Sequence, residues 1–121
     1  MDMVNAIIAE DDPMVAEINR SYLLKDDRVD TAFVCLDGFC VLDRLREEPA
    51  ELRLLDIHMP RLNGLELLRY VRGEGVRTDA IFTTAADDWE SLGQALRLGA
   101  VDYVIKPFGY ERFRVALDPF F

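Results

Sequence analysis

The sequence predicts an α/β domain, a doubly wound parallel sheet of five short strands alternating with five helices. Three observations carry this. Short apolar runs alternate with segments whose apolar residues recur at spacings of three and four. The runs are nearly continuous in apolar character, as strands buried on both faces are. Each run stops at an acid, a threonine or a Lys-Pro pair, and a helix follows, which implies a parallel sheet with helices on both sides.

Along the chain, Ala6-Ile7-Ile8-Ala9 forms the first strand and stops at Glu10-Asp11-Asp12. Pro13 suits the first turn of a helix, an acid before it serves as cap, and Val15, Ile18 and Tyr22 follow at helical spacing. Thr31 to Leu36 reads as the second strand. After Asp37-Gly38, the spacing of Val41, Leu42 and Leu45 marks a helix ending before Pro49. Leu52 to Leu55 is the third apolar run, closed by Asp56; a loop from Ile57 to Asn63 leads to a helix carrying Leu65, Leu68 and Val71 that stops at Gly73 and Gly75. Ala80 to Thr84 is the fourth strand. Trp89, Leu92 and Leu96 define the next helix, with Gly99 as its C-terminal stop. Val101 to Ile105 is the fifth strand, broken by Lys106-Pro107, and Tyr110, Phe113 and Leu117 mark the last helix. No internal repeat, low-complexity segment or linker interrupts this order.

Length and composition bound the function. The 121 residues make one domain, and with 50% hydrophobic and 31% charged residues they bury a core rather than form a disordered tail. Twenty-three acids against fourteen bases give a net charge of -9, which excludes nucleic-acid binding by the chain as a whole. No apolar run approaches the roughly 20 residues that span a bilayer, and the N-terminus lacks a secretion signal, so a cytoplasmic protein without membrane contact is expected. Two cysteines, Cys35 and Cys40, are too few for a disulfide framework or a zinc site, and are expected as reduced core thiols.

In open α/β sheets, ligands bind beyond the carboxyl ends of the strands. Glu10, Asp11 and Asp12 follow the first strand, Asp56 closes the third, Thr83 and Thr84 end the fourth, and Lys106 ends the fifth. Singly, each has a plain explanation: acids cap helices, Asp closes turns, Thr is common in strands, and Lys is a surface charge. Together they form a specific set. Clustered carboxylates repel unless a cation neutralises them, and oxygen-only ligands suit Mg²⁺. Such an ion beside Asp56, with the Thr84 hydroxyl, the Lys106 ammonium and backbone N–H groups after the fourth strand, makes a receptor for a phosphoryl group, and Asp56 is its nucleophile. Of the fourteen bases only Lys25 and Lys106 are Lys, and a compact ammonium suits a phosphoryl oxygen better than a planar guanidinium.

At these residues the sequence resembles the response-regulator receiver domain of two-component signalling, across essentially the entire chain. The motifs are Glu10-Asp11, Asp56-Ile57-His58-Met59-Pro60 with Asn63-Gly64, Thr84-Ala85, Tyr103 and Lys106-Pro107-Phe108. The resemblance implies a flavodoxin-like strand order 2-1-3-4-5 and phosphorylation of Asp56 by a phosphohistidine of a sensor histidine kinase. It further implies that Asp11, Asp56 and the backbone carbonyl of His58 hold Mg²⁺, with Glu10 acting through water. Thr84, the N–H of Ala85 and Lys106 would contact the phosphoryl oxygens. Thr84 and Tyr103 would switch the face made by the fourth helix, fifth strand and fifth helix, which is also the expected homodimer face. The Lys106-Pro107 peptide is expected to be cis. Such a domain is not an enzyme beyond its own phosphorylation and dephosphorylation.

A closer resemblance is to transcription regulators of the citrate and C4-dicarboxylate sensing type. It rests on Glu10-Asp11-Asp12-Pro13-Met14-Val15, Leu54-Leu55-Asp56-Ile57, Thr84-Ala85-Ala86, Gly99 to Tyr103, and Lys106-Pro107-Phe108 followed by Glu111-Arg112-Phe113. In that group a helix-turn-helix DNA-binding domain follows the receiver. Residues 1–121 are therefore expected to be a receiver whose output domain is missing, with DNA contact confined to that domain. Two departures from the commonest receiver pattern stand out: the first acid is Glu10 rather than Asp, as suits a residue acting through water, and the second concerns the side chains that flank the attacking water. His58 lies two residues beyond Asp56 and Ala86 two beyond Thr84, where side chains tune the lifetime of the phosphate; His58 itself is expected to be an exposed loop residue serving through its carbonyl.

Other functions compete. A flavin- or nucleotide-binding protein of this architecture would want Gly, Ser or Thr in the first loop rather than three acids. A metal-dependent phosphatase would place its nucleophile on the first strand. A degenerate receiver acting as a non-phosphorylated interaction module is the remaining alternative. Trp89 is expected to be packing or partner surface. The aromatic cluster Phe108, Tyr110, Phe113, Phe120 and Phe121 covers core or forms a dimer face, with core as the first expectation.

Overall fold

Strands form on the mainly apolar runs, and side chains in the segments that follow them cap four of the five helices. The computed structural model describes residues 3–47, 50–59, 62–73, 79–85, 88–97, 102–106 and 108–120. Its elements are β1 (Val4–Ala9), α1 (Pro13–Leu24), β2 (Val29–Cys35), α2 (Gly38–Glu47), β3 (Leu52–Asp56), α3 (Gly64–Gly73), β4 (Asp79–Ala85), α4 (Trp89–Arg97), β5 (Asp102–Lys106) and α5 (Tyr110–Leu117), with a short 3₁₀ turn at Asp118–Phe120. All strand pairs are parallel, in the order β2-β1-β3-β4-β5. The expected doubly wound α/β fold and its strand order are therefore present.

The sheet separates two cores, as alternation along each strand requires. Ile7 and Ala9 of β1, Leu55 of β3 and Phe82 of β4 pack against Val41 and Leu42 of α2, Leu67 and Leu68 of α3, and Ala95 of α4. Ala6, Ile8, Leu54, Ile81 and Val104 point the other way, onto Leu23 of α1 and Phe113, Ala116 and Leu117 of α5. Phe108 and Phe120 pack on that second core, and Tyr22 joins Phe108, Tyr110 and Phe113 in an aromatic group, so these side chains cover core. Phe121 and the expected stop at Gly99 lie outside the described residues.

Side chains flanking the helices fix where they begin. Asp12 accepts from the N–H groups of Met14 and Val15, Asp37 from Cys40, and Asp88 from Ser91. Asn63 and Glu66 exchange side-chain bonds with each other's backbone N–H, a capping box at the start of α3.

Three details differ from the sequence reading. The buried line of α1 is Ala16, Asn19 and Leu23, while Ile18 is 45% exposed; small Ala16 lets the helix approach the sheet. Arg53, inside what reads as an apolar run, is fully buried between Ile7 and Ala80 on the neighbouring strands. Cys35 and Cys40 are joined by a disulfide rather than reduced. Counting cysteines excludes a framework of several bridges but not one local bridge. Here the turn from β2 into α2 brings the two Cα atoms to 5.5 Å, within the range a disulfide spans.

Two glycines hold the loop after β3 in place. A Cβ on Gly64 would lie 2.6 Å from the carbonyl oxygen of Asp56, and one on Gly38 would lie 2.6 Å from that of Leu62. Both obstacles are backbone and cannot rotate away. Gly64→Ala should therefore lower unfolding free energy by about 1–3 kcal/mol, the usual cost of overpacking, read as a lower denaturant midpoint; an unchanged midpoint would show that the loop yields freely.

Candidate functional site

Register brings the predicted residues to one edge of the sheet. Ala9 pairs with Leu55, so Glu10 and Asp56 emerge side by side from β1 and β3. Asp56 is level with Thr83, and Ala85 is level with Lys106. Carboxylate oxygens of Glu10, Asp11 and Asp56 all lie within 4.8 Å of one another. Glu10, Asp56 and Thr84 are buried, whereas Asp11 is exposed.

Lys106 ties the cluster together. Its Nζ donates to Glu10 Oε1 at 2.8 Å and to Asp56 Oδ2 at 2.9 Å. The other Asp56 oxygen, Oδ1, accepts from the backbone N–H of His58 at 3.2 Å. Both oxygens are thus oriented by the fold. Glu10 is held further by the N–H of Asp12, which donates to Oε2, while its own backbone N–H donates to the Cys35 carbonyl at 3.1 Å. The three acids after β1 divide their work: Asp12 is the helix cap, and Glu10 and Asp11 face the cluster.

The electrostatics describe a site short of positive charge. The hydrogen bond with Glu10, burial and Glu10's negative charge together raise the Asp11 carboxyl above its ordinary value. Burial alone would push the Lys106 ammonium down, but bonds to Glu10 and Asp56 outweigh it and hold the pKa above that of a free lysine. Three carboxylates against one ammonium leave a formal charge of two negative. This oxygen-only donor set, with excess negative charge, fits a hard divalent cation.

His58 does more than sequence reasoning gave it. Its Nε2 bonds to Asp88 Oδ2, while Asp88 Oδ1 caps α4. Burial raises the Asp88 carboxyl, but hydrogen bonds from His58 and Ser91 outweigh that and hold it below the ordinary carboxylate range. The pair joins the loop after β3 to the start of α4. Asp88 was missed; its only sequence signal is a capping acid one residue before Trp89. Tyr103 is half-buried against the core that contains Phe82 and α3, and Arg112 donates to its carbonyl. Trp89 is 69% exposed and is therefore surface rather than packing. Ala86 and the Lys106-Pro107 peptide lie outside the described residues. Among the described residues, no helix is long and apolar enough to cross a membrane.

A buried aspartate at the end of the third strand, an acidic pair after the first and a lysine after the fifth, all on a 2-1-3-4-5 sheet, define a recognisable class. Residues 6–118 match the response regulator receiver domain family, and the chain belongs to it. It is 43% identical over 118 residues to the transcriptional regulatory protein MalR of Bacillus subtilis, covering 98% of this chain and 50% of that protein. The transcriptional regulatory protein DcuR of Escherichia coli is 37% identical over 121 residues, covering 95% and 49% respectively. Among solved structures, the receiver domain of the Francisella response regulator 1452 superposes with a TM-score of 0.84 at 26% identity, covering 97% of this chain and 95% of that one. The chain spans about half the length of the curated relatives it matches.

Two outcomes follow from the charge balance. A carboxyl with a raised folded pKa favours folding below its unfolded value of 3.8 and loses that contribution as pH rises through the folded value. Asp11→Asn should therefore stabilise the metal-free protein at neutral pH, by about 0.5 kcal/mol for so exposed a group, and weaken the rise in Tm on adding Mg²⁺. A lower Tm for the variant without metal would contradict this. Lys106→Met should destabilise the metal-free protein by about 1–3 kcal/mol, because two buried carboxylates lose their donor. Denaturant unfolding measures this, and an unaltered midpoint would show that the bridge contributes nothing.

Proposed function

We propose that this domain is a phosphorylation-controlled switch in which Asp56 accepts a phosphoryl group from a phosphohistidine on a sensor histidine kinase. The observation that carries the reading is the buried Asp56 carboxylate, with one oxygen on Lys106 and the other on a backbone N–H, inside a cluster of three carboxylates. Family membership makes this chemistry the natural use of the site.

Each residue has a role in this reading. An Asp56 carboxylate oxygen attacks phosphorus as the P–N bond to the donor histidine breaks, leaving an aspartyl phosphate and a free imidazole. Lys106 passes from the carboxylate to a phosphoryl oxygen and supplies positive charge where negative charge accumulates. The Thr84 hydroxyl and the Ala85 N–H face the remaining phosphoryl oxygens. Asp11, Asp56 and the His58 carbonyl would hold Mg²⁺, and Glu10 would act mainly by positioning Lys106 and ordered water. When bound, that ion supplies charge neutralisation that lets two anions approach. Attack of water on the phosphorus of the aspartyl phosphate returns Asp56 and inorganic phosphate, so the domain acts only on itself.

The output is a population shift between two surfaces. Thr84 moving toward the phosphate draws on β4, and Tyr103 lies beside it on β5, so the face of α4, β5 and α5 carries the change. The helices α4 and α5 expose Trp89, Leu96 and Val115, apolar side chains that suit a homodimer. The relatives of about twice this length are transcriptional regulators by name, and another relative, from Priestia megaterium, is a probable C4-dicarboxylate response regulator. A cytoplasmic transcription factor responding to a carboxylate sensor, touching DNA through a separate output domain, follows as the biological setting.

Incubation with acetyl phosphate and Mg²⁺ should add one phosphoryl mass to the wild type and none to Asp56→Asn, read by intact mass spectrometry. Absence of labelling in the folded wild type would leave only the non-phosphorylated interaction module.

A further inference from the structure

The turn between β2 and α2 joins two features that the phosphorylation site does not itself use. One is the bridge between Cys35, 1% exposed at the end of β2, and Cys40, partly exposed in the first turn of α2. Cys40, partly exposed, lines a surface hollow together with Phe33, Asp43, Arg44 and Glu47. The other feature is the turn's contact with two residues near the phosphoacceptor, Glu10 and Leu62. The Cys35 carbonyl accepts from the backbone N–H of Glu10, whose carboxylate holds Lys106. Gly38 packs so close to the Leu62 carbonyl that a Cβ there would lie 2.6 Å from it, and Gly64, at the start of α3, packs as close to that of Asp56. A constraint on the turn therefore reaches the acidic wall from one side and the nucleophile's own backbone from the other.

We propose that Cys35 and Cys40 are a reversible thiol–disulfide modification site whose oxidised state preorganises the acidic cluster for phosphorylation of Asp56. The co-reactant class is a low-molecular-weight disulfide. The Cys40 sulfur attacks it, one thiol leaves, and a mixed disulfide forms on Cys40. The Cys35 sulfur then attacks Cys40 Sγ and releases the second thiol. One disulfide bond and two cysteine S–H bonds are lost; one Cys35–Cys40 bond and two thiol S–H bonds form. An excess of thiol runs the exchange backwards, as suits a single local bridge in a cytoplasmic protein, where disulfides are mostly transient.

The coupling half of this inference rests on Asp56 as phosphoacceptor, whereas the thiol half does not. The experiment keeps them apart. The purified chain is equilibrated in glutathione buffers of varied oxidised-to-reduced ratio, alkylated and weighed intact, and the same samples are assayed with acetyl phosphate and Mg²⁺ and titrated with Mg²⁺ by Trp89 fluorescence. The expected result is no alkyl group in oxidising buffer and two in reducing buffer. Phosphorylation of the oxidised form should be faster by at least about fivefold, the low end for coupled sites, with tighter Mg²⁺ binding. Cys40→Ser should phosphorylate at the reduced rate at every ratio, and reduced wild type provides the same comparison without substitution. Two alkyl groups at every ratio would overturn the modification site. A reversible bridge with equal Mg²⁺ affinity and equal rates would overturn the coupling. If no phosphoryl mass appears in either state, the phosphoacceptor reading fails, while the alkylation pattern and the Mg²⁺ titration still decide the bridge and its reach.

Discussion

Everything at the working edge of this domain depends on one ammonium among three carboxylates. Parallel strands point their carboxyl ends the same way, and here two of those ends bring Glu10, Asp11 and Asp56 within 4.8 Å of one another. Carboxylates at that separation repel, and Lys106, reaching from β5 to the buried Glu10 and Asp56 together, offsets part of the repulsion. It does not cancel it. The residual negative charge makes the site receptive to a divalent cation, and the same lysine is then free to meet a second anion. A domain stabilised by a fully balanced salt bridge would have no reason to change its contacts on phosphorylation.

The surrounding architecture holds that imbalance in place with backbone rather than with long side chains. Capping acids start α1, α2 and α4, and a reciprocal Asn63–Glu66 cap starts α3. Gly64 allows the chain to return within contact of the Asp56 carbonyl, and Gly38 lets α2 rest on the same loop. Backbone contacts of this kind have little freedom to relax, which keeps a nucleophile oriented while the groups around it exchange partners. The His58–Asp88 bond adds a link across the mouth of the site, from the loop after β3 to the cap of α4. On the proposed reading, these are the routes by which a change at Asp56 would reach α4 on one side and the bridged β2–α2 turn on the other.

Most of the sheet was legible because strands buried on both faces leave an unmistakable run of apolar residues, and the strand-end acids, Thr84 and Lys106 mark one edge. What escaped was whatever depends on which neighbour a side chain meets. Periodicity placed α1 but not its buried line, since Val15, Ile18 and Tyr22 recur at helical spacing while Ala16, Asn19 and Leu23 face the sheet. Arg53 is hidden in an apolar run because composition does not reveal burial of a single charge. The Cys35–Cys40 bridge depends on how sharply the chain turns after β2. Asp88 went unread: one of its oxygens caps α4, and the other meets a histidine 30 residues earlier that local sequence cannot pair with it. Asp11 and Asp12 are adjacent acids with different duties, a division set by the geometry of the helix start rather than by residue type.

On the proposed reading, the oriented Asp56 carboxylate, rather than the acidic patch as a whole, receives the phosphoryl group. The most direct measurement is borohydride reduction of the protein after reaction with acetyl phosphate and Mg²⁺, followed by peptide mass spectrometry, because reduction converts an aspartyl phosphate into homoserine at the reacted position. Homoserine is expected at position 56 alone. Homoserine at position 11, or an unreduced Asp56 in protein that carries phosphate, would contradict it.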